Sequence, residues 1–301
     1  MKPADIGRIV LWMSGTLLSF SAMALSIRGL AGALSIIEIL TVRSAGAVII
    51  LVTLALFRPE LRHGFRPQHM LINVARSAVH FGAQFCWALS LTLLPLAMVF
   101  ALEFTMPVWM AMMAVLILGE RMTLSRAGVV VLGFIGTLII LRPGLQAFQP
   151  AALLVLLAAF GYALFNVLTK KLTASAGTFA IVFWMNAIQA PMGLAASDPM
   201  FLGKLGTEHI PALLGVAVAG LSAHYCLTNA LRAGDATIVM PIDFLRVPLI
   251  ALVGWWFFNE SLDVFVFIGG AVMLSGILWN LRDEAKKAHR RAEEEAAGRS
   301  H

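Results

Sequence analysis

The chain of 301 residues is 60% hydrophobic and 13% charged, with a mean hydropathy of +0.88. Soluble domains carry roughly 25% charged residues, so most of this chain belongs in lipid, and a soluble catalytic domain has no stretch to occupy. The formal charge of +6 and the pI near 9.8 are then read as membrane topology rather than as nucleic-acid binding.

Apolar runs of about 18 or more residues, each enough to cross a hydrocarbon core of about 30 Å, predict ten spans. They lie near 8–27, 35–57, 69–91, 95–118, 124–141, 150–169, 178–197, 210–231, 236–258 and 262–281. Lys2 and Arg8 before the first span, with "AGA" at 31–33, imitate a signal peptide, but the repeat described below needs this helix. With the N-terminus cytoplasmic, 16 of the 22 Lys and Arg fall in inside segments, three (Arg28, Arg142, Lys204) outside, and three (Arg43, Arg76, Arg246) within spans. By the positive-inside rule this predicts both termini in the cytoplasm of a bacterial cell, around an integral protein of the cytoplasmic membrane.

Span 3 carries Asn73, Arg76, His80, Gln84 and Trp87 at spacings of three and four, which lines one helical face with polar groups. A wet cavity accounts for that stripe. Snorkelling of Arg76 to the surface and hydrogen bonds from His80 and Gln84 to neighbouring helices are the structural alternative. Arg43 in span 2 reads as the partner of a carboxylate or carbonyl.

Span 4 places Glu103 about eight residues in, roughly 12 Å deep at 1.5 Å per residue. Pro107, four residues on, removes a helix hydrogen bond and crowds the Glu103 carbonyl, making a polar notch. Span 9 places Asp243 and Arg246 between Pro241 and Pro248. Charges at such depth cost about 2.5–3.5 kcal/mol on insertion scales and face protein or water. Asp243 and Arg246 are three apart and can pair on one face. Glu103, with no Arg within one turn, is expected to be the carboxylate available to a substrate ammonium or a proton; a structural role, held by another helix's Arg or by hydroxyls, is the alternative.

Adding 140 to a position repeatedly meets a similar residue: Phe20 and Phe160, Ala83 and Ala223, Cys86 and Cys226, Glu103 and Asp243, Phe104 and Phe244, Glu120 and Glu260, Gly136 and Gly276. Gln84 falls on His224, with Tyr225 beside it and Asn229 further along the same helix. Five spans per half force the copies into opposite orientations. The fold expected is an all-α polytopic membrane protein of ten transmembrane helices in two inverted five-helix repeats, residues 1–144 and 145–281, followed by a charged cytoplasmic tail, 282–301. Inverted repeats place a substrate site near the midplane between the halves. Glu120 and Glu260 read as structural carboxylates at the positive ends of the helices that follow.

The runs "LGERMTLSRAGVVVLGFIGTLII" (118–140) and "FNESLDVFVFIGGAVMLSGIL" (258–278), with five-plus-five spans, resemble the drug/metabolite transporter superfamily, EamA type, and within it bacterial amino-acid exporters of the YddG kind. The resemblance implies a cavity lined mainly by spans 1, 3, 4, 6, 8 and 9, with spans 5 and 10 as scaffold. The function expected is export of amino acids or similar small zwitterions by alternating access. Carriers of nucleotide-sugars or organic cations, or an intramembrane enzyme, are the alternatives. Candidate substrate-binding residues are Arg76, His80, Gln84, Trp87, Glu103, Tyr162, His224, Tyr225, Asn229, Asp243 and Arg246. No catalytic residue, cofactor, metal or nucleic acid is expected; the partners are a small-molecule substrate and the bilayer, and the chain a monomer or homodimer.

Overall fold

A computed structural model of the chain describes residues 3–118, 122–142, 149–173, 176–233, 242 and 245–298, and among these every regular element is helical. The helices are α1 (Pro3–Leu30), α2 (Ile36–Phe57), α3 (Met70–Leu93), α4 (Leu96–Glu103), α5 (Met106–Leu118), α6 (Leu124–Leu141), α7 (Ala152–Thr173), α8 (Thr178–Ala196), α9 (Ile210–Ala233), α10 (Arg246–Phe258) and α11 (Val264–Gly298).

Local signals set the ends. Ser35 caps α2 reciprocally: its hydroxyl accepts from the Glu38 N–H while Glu38 Oε2 accepts from the Ser35 N–H at 2.7 Å, which satisfies two donors that a helix start leaves open. Thr123 caps α6 through the Arg126 N–H. Asn259 closes α10 in the left-handed region, φ 54°, where Asn is among the few non-glycine residues at ease.

The fourth predicted span is two helices. Pro107 cannot donate to the Glu103 carbonyl, so the backbone tightens just before it: Phe104 N–H bonds Ala101 O at 3.2 Å and Thr105 N–H bonds Leu102 O at 3.0 Å. Among the described residues, six helical segments are long and apolar enough to cross a membrane: Gly7–Leu30, Ile36–Phe57, Leu124–Leu141, Ala152–Thr169, Phe179–Ala196 and Val264–Asp283. Three shorter apolar segments, Leu96–Met110, Thr207–Ala223 and Arg246–Phe258, accompany them. The ten-span expectation exceeds this because α3 carries its own polar stripe, span 4 is broken, and of span 9 only Ile242 and the residues from Leu245 on are described.

Packing joins the two halves rather than separating them. The main pairs are α1 on α9, α3 on α7, α2 on α8, α6 on α11 and α4 on α10, and each takes one helix from before residue 143 and one from after 148. The α6–α11 contact is closest where Gly136 meets Gly269: a Cβ on either would stand about 2.5 Å from the other's carbonyl oxygen (2.5 and 2.6 Å). Small residues permit such backbone approach in lipid, where helix association depends on close packing. α4 sits at the centre, with every residue from Leu96 to Leu102 buried.

The ends predicted to lie outside are tied by ions. Arg28, at the end of α1, pairs with Glu260 and also donates to the Leu91 and Leu94 carbonyls, while Glu260 Oε2 accepts from the Leu96 N–H at 2.9 Å. Glu260 therefore caps α4 rather than the helix that follows it, against expectation, because α4 begins at Pro95 without a side-chain cap of its own. Arg142 pairs with Asp263, and Lys204 bridges Glu38 at 3.1 Å and Asp198 at 3.0 Å. Glu120 lies outside the described residues.

Candidate functional site

The polar stripe of α3 faces α7 and α8, because those are the helices it packs against. His80, Gln84 and Trp87 from this stripe open onto a cavity of about 190 Å³, which Glu103, Tyr162 and Arg246 also line. Phe20, Phe104, Pro107 and Phe165 complete much of its apolar wall. The break between α4 and α5 lies directly on this cavity.

Two charged groups meet there. Trp87 Nε1 donates to Glu103 Oε2 at 2.9 Å, and Arg246 Nη2 stands 3.7 Å from Glu103 Oε1. The Arg246 guanidinium lies 4.5 Å from the Phe20 ring centre, 5.2 Å from Phe100 and 5.5 Å from Phe104. Ring faces attract such a cation, more so when it is desolvated. Glu103 has no arginine within one helical turn, but Arg246 reaches it from α10, which is the alternative of a carboxylate held by another helix's arginine.

A second network lies behind the α3 wall. Arg43, 4% exposed, donates through Nη2 to Gln84 Oε1 at 2.6 Å and to Gln189 Oε1 at 3.2 Å. Gln189, fully buried on α8, donates through Nε2 to the Ser77 carbonyl and meets His80 Nδ1, each at 3.0 Å. The His80 ring packs 4.2 Å from Phe165 and 5.6 Å from Tyr162.

Arg76 does not line the cavity, nor does it snorkel. It is fully buried, donating to the Ile181 carbonyl at 2.6 Å, Asn73 Oδ1 at 3.3 Å and Thr169 Oγ1 at 3.3 Å, with its guanidinium 5.3 Å from the Phe165 ring. It ties α3, α7 and α8 between this cavity and a second hollow of about 300 Å³, bordered by Glu60, His63, Arg66 and Trp184. Tyr225 also lies away from the cavity: it is 63% exposed, edge-on to Trp12 at 5.9 Å. Asn229 donates to its own helix at Tyr225 O, 2.8 Å. Asp243 and the side chain of His224 lie outside the described residues. Gln189 was not singled out from the sequence, and Phe20 and Phe104 were noted only as members of the repeat, not as site residues. Asn186 and Gln189, three apart in an otherwise apolar helix, were the available signal for α8.

Comparison with known proteins places this geometry in a family. The EamA-like transporter family matches residues 7–142 and again residues 149–282. The chain is 33% identical over 208 residues to a riboflavin transporter of Rhizobium johnstonii, covering 68% of each chain. It is 25% identical over 222 residues to an S-adenosylmethionine uptake transporter of Rickettsia felis, covering 74% of this chain and 75% of that one. These names support the family, and neither relative is named specifically as an amino-acid exporter. One solved structure shares the fold, with a TM-score of 0.57 at 16% identity over 90% of this chain and 94% of that chain. An all-helical membrane chain matched along both halves by one family, with a charged and aromatic cavity between those halves, is a member of the EamA-like transporter family.

Proposed function

We propose that the chain exports small zwitterionic metabolites, amino acids among them, across the bacterial cytoplasmic membrane by alternating access between two inverted five-helix repeats, residues 1–144 and 145–281. The observation that carries this is the pairing of Glu103 with Arg246 inside an aromatic cavity. A zwitterion offers one charge to each and replaces a contact that is loose at 3.7 Å. The helix pairing supports the repeat: exchanging the first helix of each half, and likewise the third, turns the α1–α9 contact into the α7–α3 contact, and both occur. Arg28 and Glu260 close the outer end in this state.

At about 190 Å³, the cavity is below the roughly 300–1,000 Å³ of drug-sized ligand sites, which suits a small cargo. A second reading, a planar heteroaromatic cargo, is favoured by the His80, Phe165 and Tyr162 rings on one wall and by the riboflavin transporter among the relatives. Inside-out vesicles carrying the protein are offered labelled phenylalanine, riboflavin and S-adenosylmethionine. Saturable accumulation of phenylalanine is expected. Riboflavin alone would establish the second reading, and accumulation of none above empty vesicles would reject both.

A further inference from the structure

Three rings surround the Arg246 guanidinium. Its carbon lies 4.5 Å from the centre of Phe20 on α1, 5.2 Å from Phe100 on α4 and 5.5 Å from Phe104 in the break that follows α4. All three distances are inside the roughly 6 Å over which a ring face attracts a cation. The contact with Glu103 is looser. An arginine–carboxylate bond closes to about 2.7–2.9 Å, often as two parallel bonds, whereas Arg246 Nη2 stands 3.7 Å from Glu103 Oε1. The other carboxylate oxygen is taken by Trp87 Nε1 at 2.9 Å, so Trp87 sets the direction in which Glu103 points.

Nothing in this arrangement is particular to a guanidinium. Ring faces and a carboxylate charge at this distance act on any cation stripped of water. Phe20, Phe104, Glu103 and Arg246 all line the cavity, so the place the guanidinium fills borders the space a cargo would enter.

We infer that Phe20, Phe100, Phe104 and Glu103 form a subsite for the cationic end of the cargo, an ammonium or guanidinium group, and that Arg246 is its resident occupant, exchanged for that end when cargo binds. The inference rests on the transport reading for the charge pattern of the cargo. The exchange conserves the charge over the rings: the cargo cation takes the cage, and the displaced guanidinium follows the cargo carboxylate. A simple cation must expel Arg246 and offers it no new partner. The resident arginine therefore selects zwitterions over plain cations, a device that works by penalising the wrong ligand.

The test empties the cage and refills it. Ethylguanidinium is the part of the side chain that Arg246→Ala removes. At millimolar concentration it should raise the midpoint of thermal unfolding of full-length Arg246→Ala in detergent and leave the wild type unchanged, while N-ethylurea, of the same shape without the charge, should do nothing. Phenethylamine should bind Arg246→Ala, and Arg246→Met with its stem volume kept, at least about tenfold more tightly than it binds the wild type. Adding Phe20→Leu to either variant should weaken these cations about threefold to tenfold, as for one desolvated ring face. An Arg246→Ala protein that ethylguanidinium does not stabilise, an equal response to N-ethylurea, phenethylamine held no better by either variant than by the wild type, or indifference to Phe20→Leu would overturn the cage. No flux is measured, so the two readings fail separately. A chain that carries no phenylalanine can still show the rescue, and one that carries it can still lack the cage.

Discussion

Arg246 at the start of α10 faces Glu103 at the end of α4, Nη2 to Oε1 at 3.7 Å, with Trp87 from α3 holding the other carboxylate oxygen at 2.9 Å. Three helices therefore meet at one carboxylate. Removing one partner of a buried pair leaves the other uncompensated, at about 3–5 kcal/mol. Glu103→Gln and Arg246→Gln should each lower the folded, monodisperse fraction, and the double variant should recover part of it. All three should lose at least about tenfold in vesicle flux, roughly one charged hydrogen bond. A double variant no better folded than the singles would show that the two do not interact.

The Arg28–Glu260 contact, at the end of the helices predicted to lie outside, is proposed to close that end, and Glu260 also holds the Leu96 N–H. Glu260→Gln weakens charge-assisted bonds worth about 1.5–3 kcal/mol each. A single cysteine at Met23, in a background lacking Cys86 and Cys226, should then react about tenfold faster with an impermeant thiol reagent added outside. An unchanged rate would place the outer closure elsewhere.

At the α6–α11 crossing, Gly136→Ala would put a methyl group against the Gly269 carbonyl and Met273, each 2.5 Å away. Backbone cannot yield as a flexible side chain can, so a loss of about 1–3 kcal/mol is expected, the usual cost of overpacking. Gly82→Ala in α3, with nothing within 4 Å of the added carbon, should be neutral or stabilising, since Ala is the better helix former by about 1 kcal/mol. Thermal unfolding in detergent separates the two.

Topology is tested by single cysteines at Lys171 and Met200. The charge asymmetry of the sequence expects the first inside and the second outside. Impermeant reagent on whole cells should label Met200→Cys and spare Lys171→Cys; the reverse pattern would invert the whole arrangement.

The segment after α8 is held by Lys204 between Asp198 and Glu38. The Met200 N–H, followed by Lys204, holds the Asp198 carboxyl below its ordinary value, and Asp198 with Glu38 holds the Lys204 amine above its own. A lowered acid contributes above its unfolded value and loses that contribution as pH falls through the folded one; a raised base contributes below its unfolded value and loses it as pH rises through the folded one. Proteolysis between Asp198 and His209 should therefore stay slow from about pH 5 to 9 and quicken outside that window. Lys204→Ala should remove the plateau.

Much of the site could be read from the sequence where one helix contains the whole signal. The spacing of His80, Gln84 and Trp87 marked one face, and that face lines the cavity. Glu103 with Pro107 marked a notch, and the helix breaks there. Partners between helices were not legible: Arg43 and Gln189 are 146 positions apart, and periodicity assigns a face without saying what meets it. Tyr225 shows the converse error. It follows the residue matching Gln84, but the packing of α9 on α1 turns it outward beside Trp12.

α4 is eight residues long, about 12 Å at 1.5 Å per residue, and no side of it meets lipid. A stub of that length cannot enter a bilayer on its own account. The bend at Phe104 and Thr105, set by Pro107, therefore lies inside the protein, with α4 enclosed by α7 and α10. The arginine that meets Glu103 comes from the other half of the sequence, so neither half alone carries both charges of the cavity.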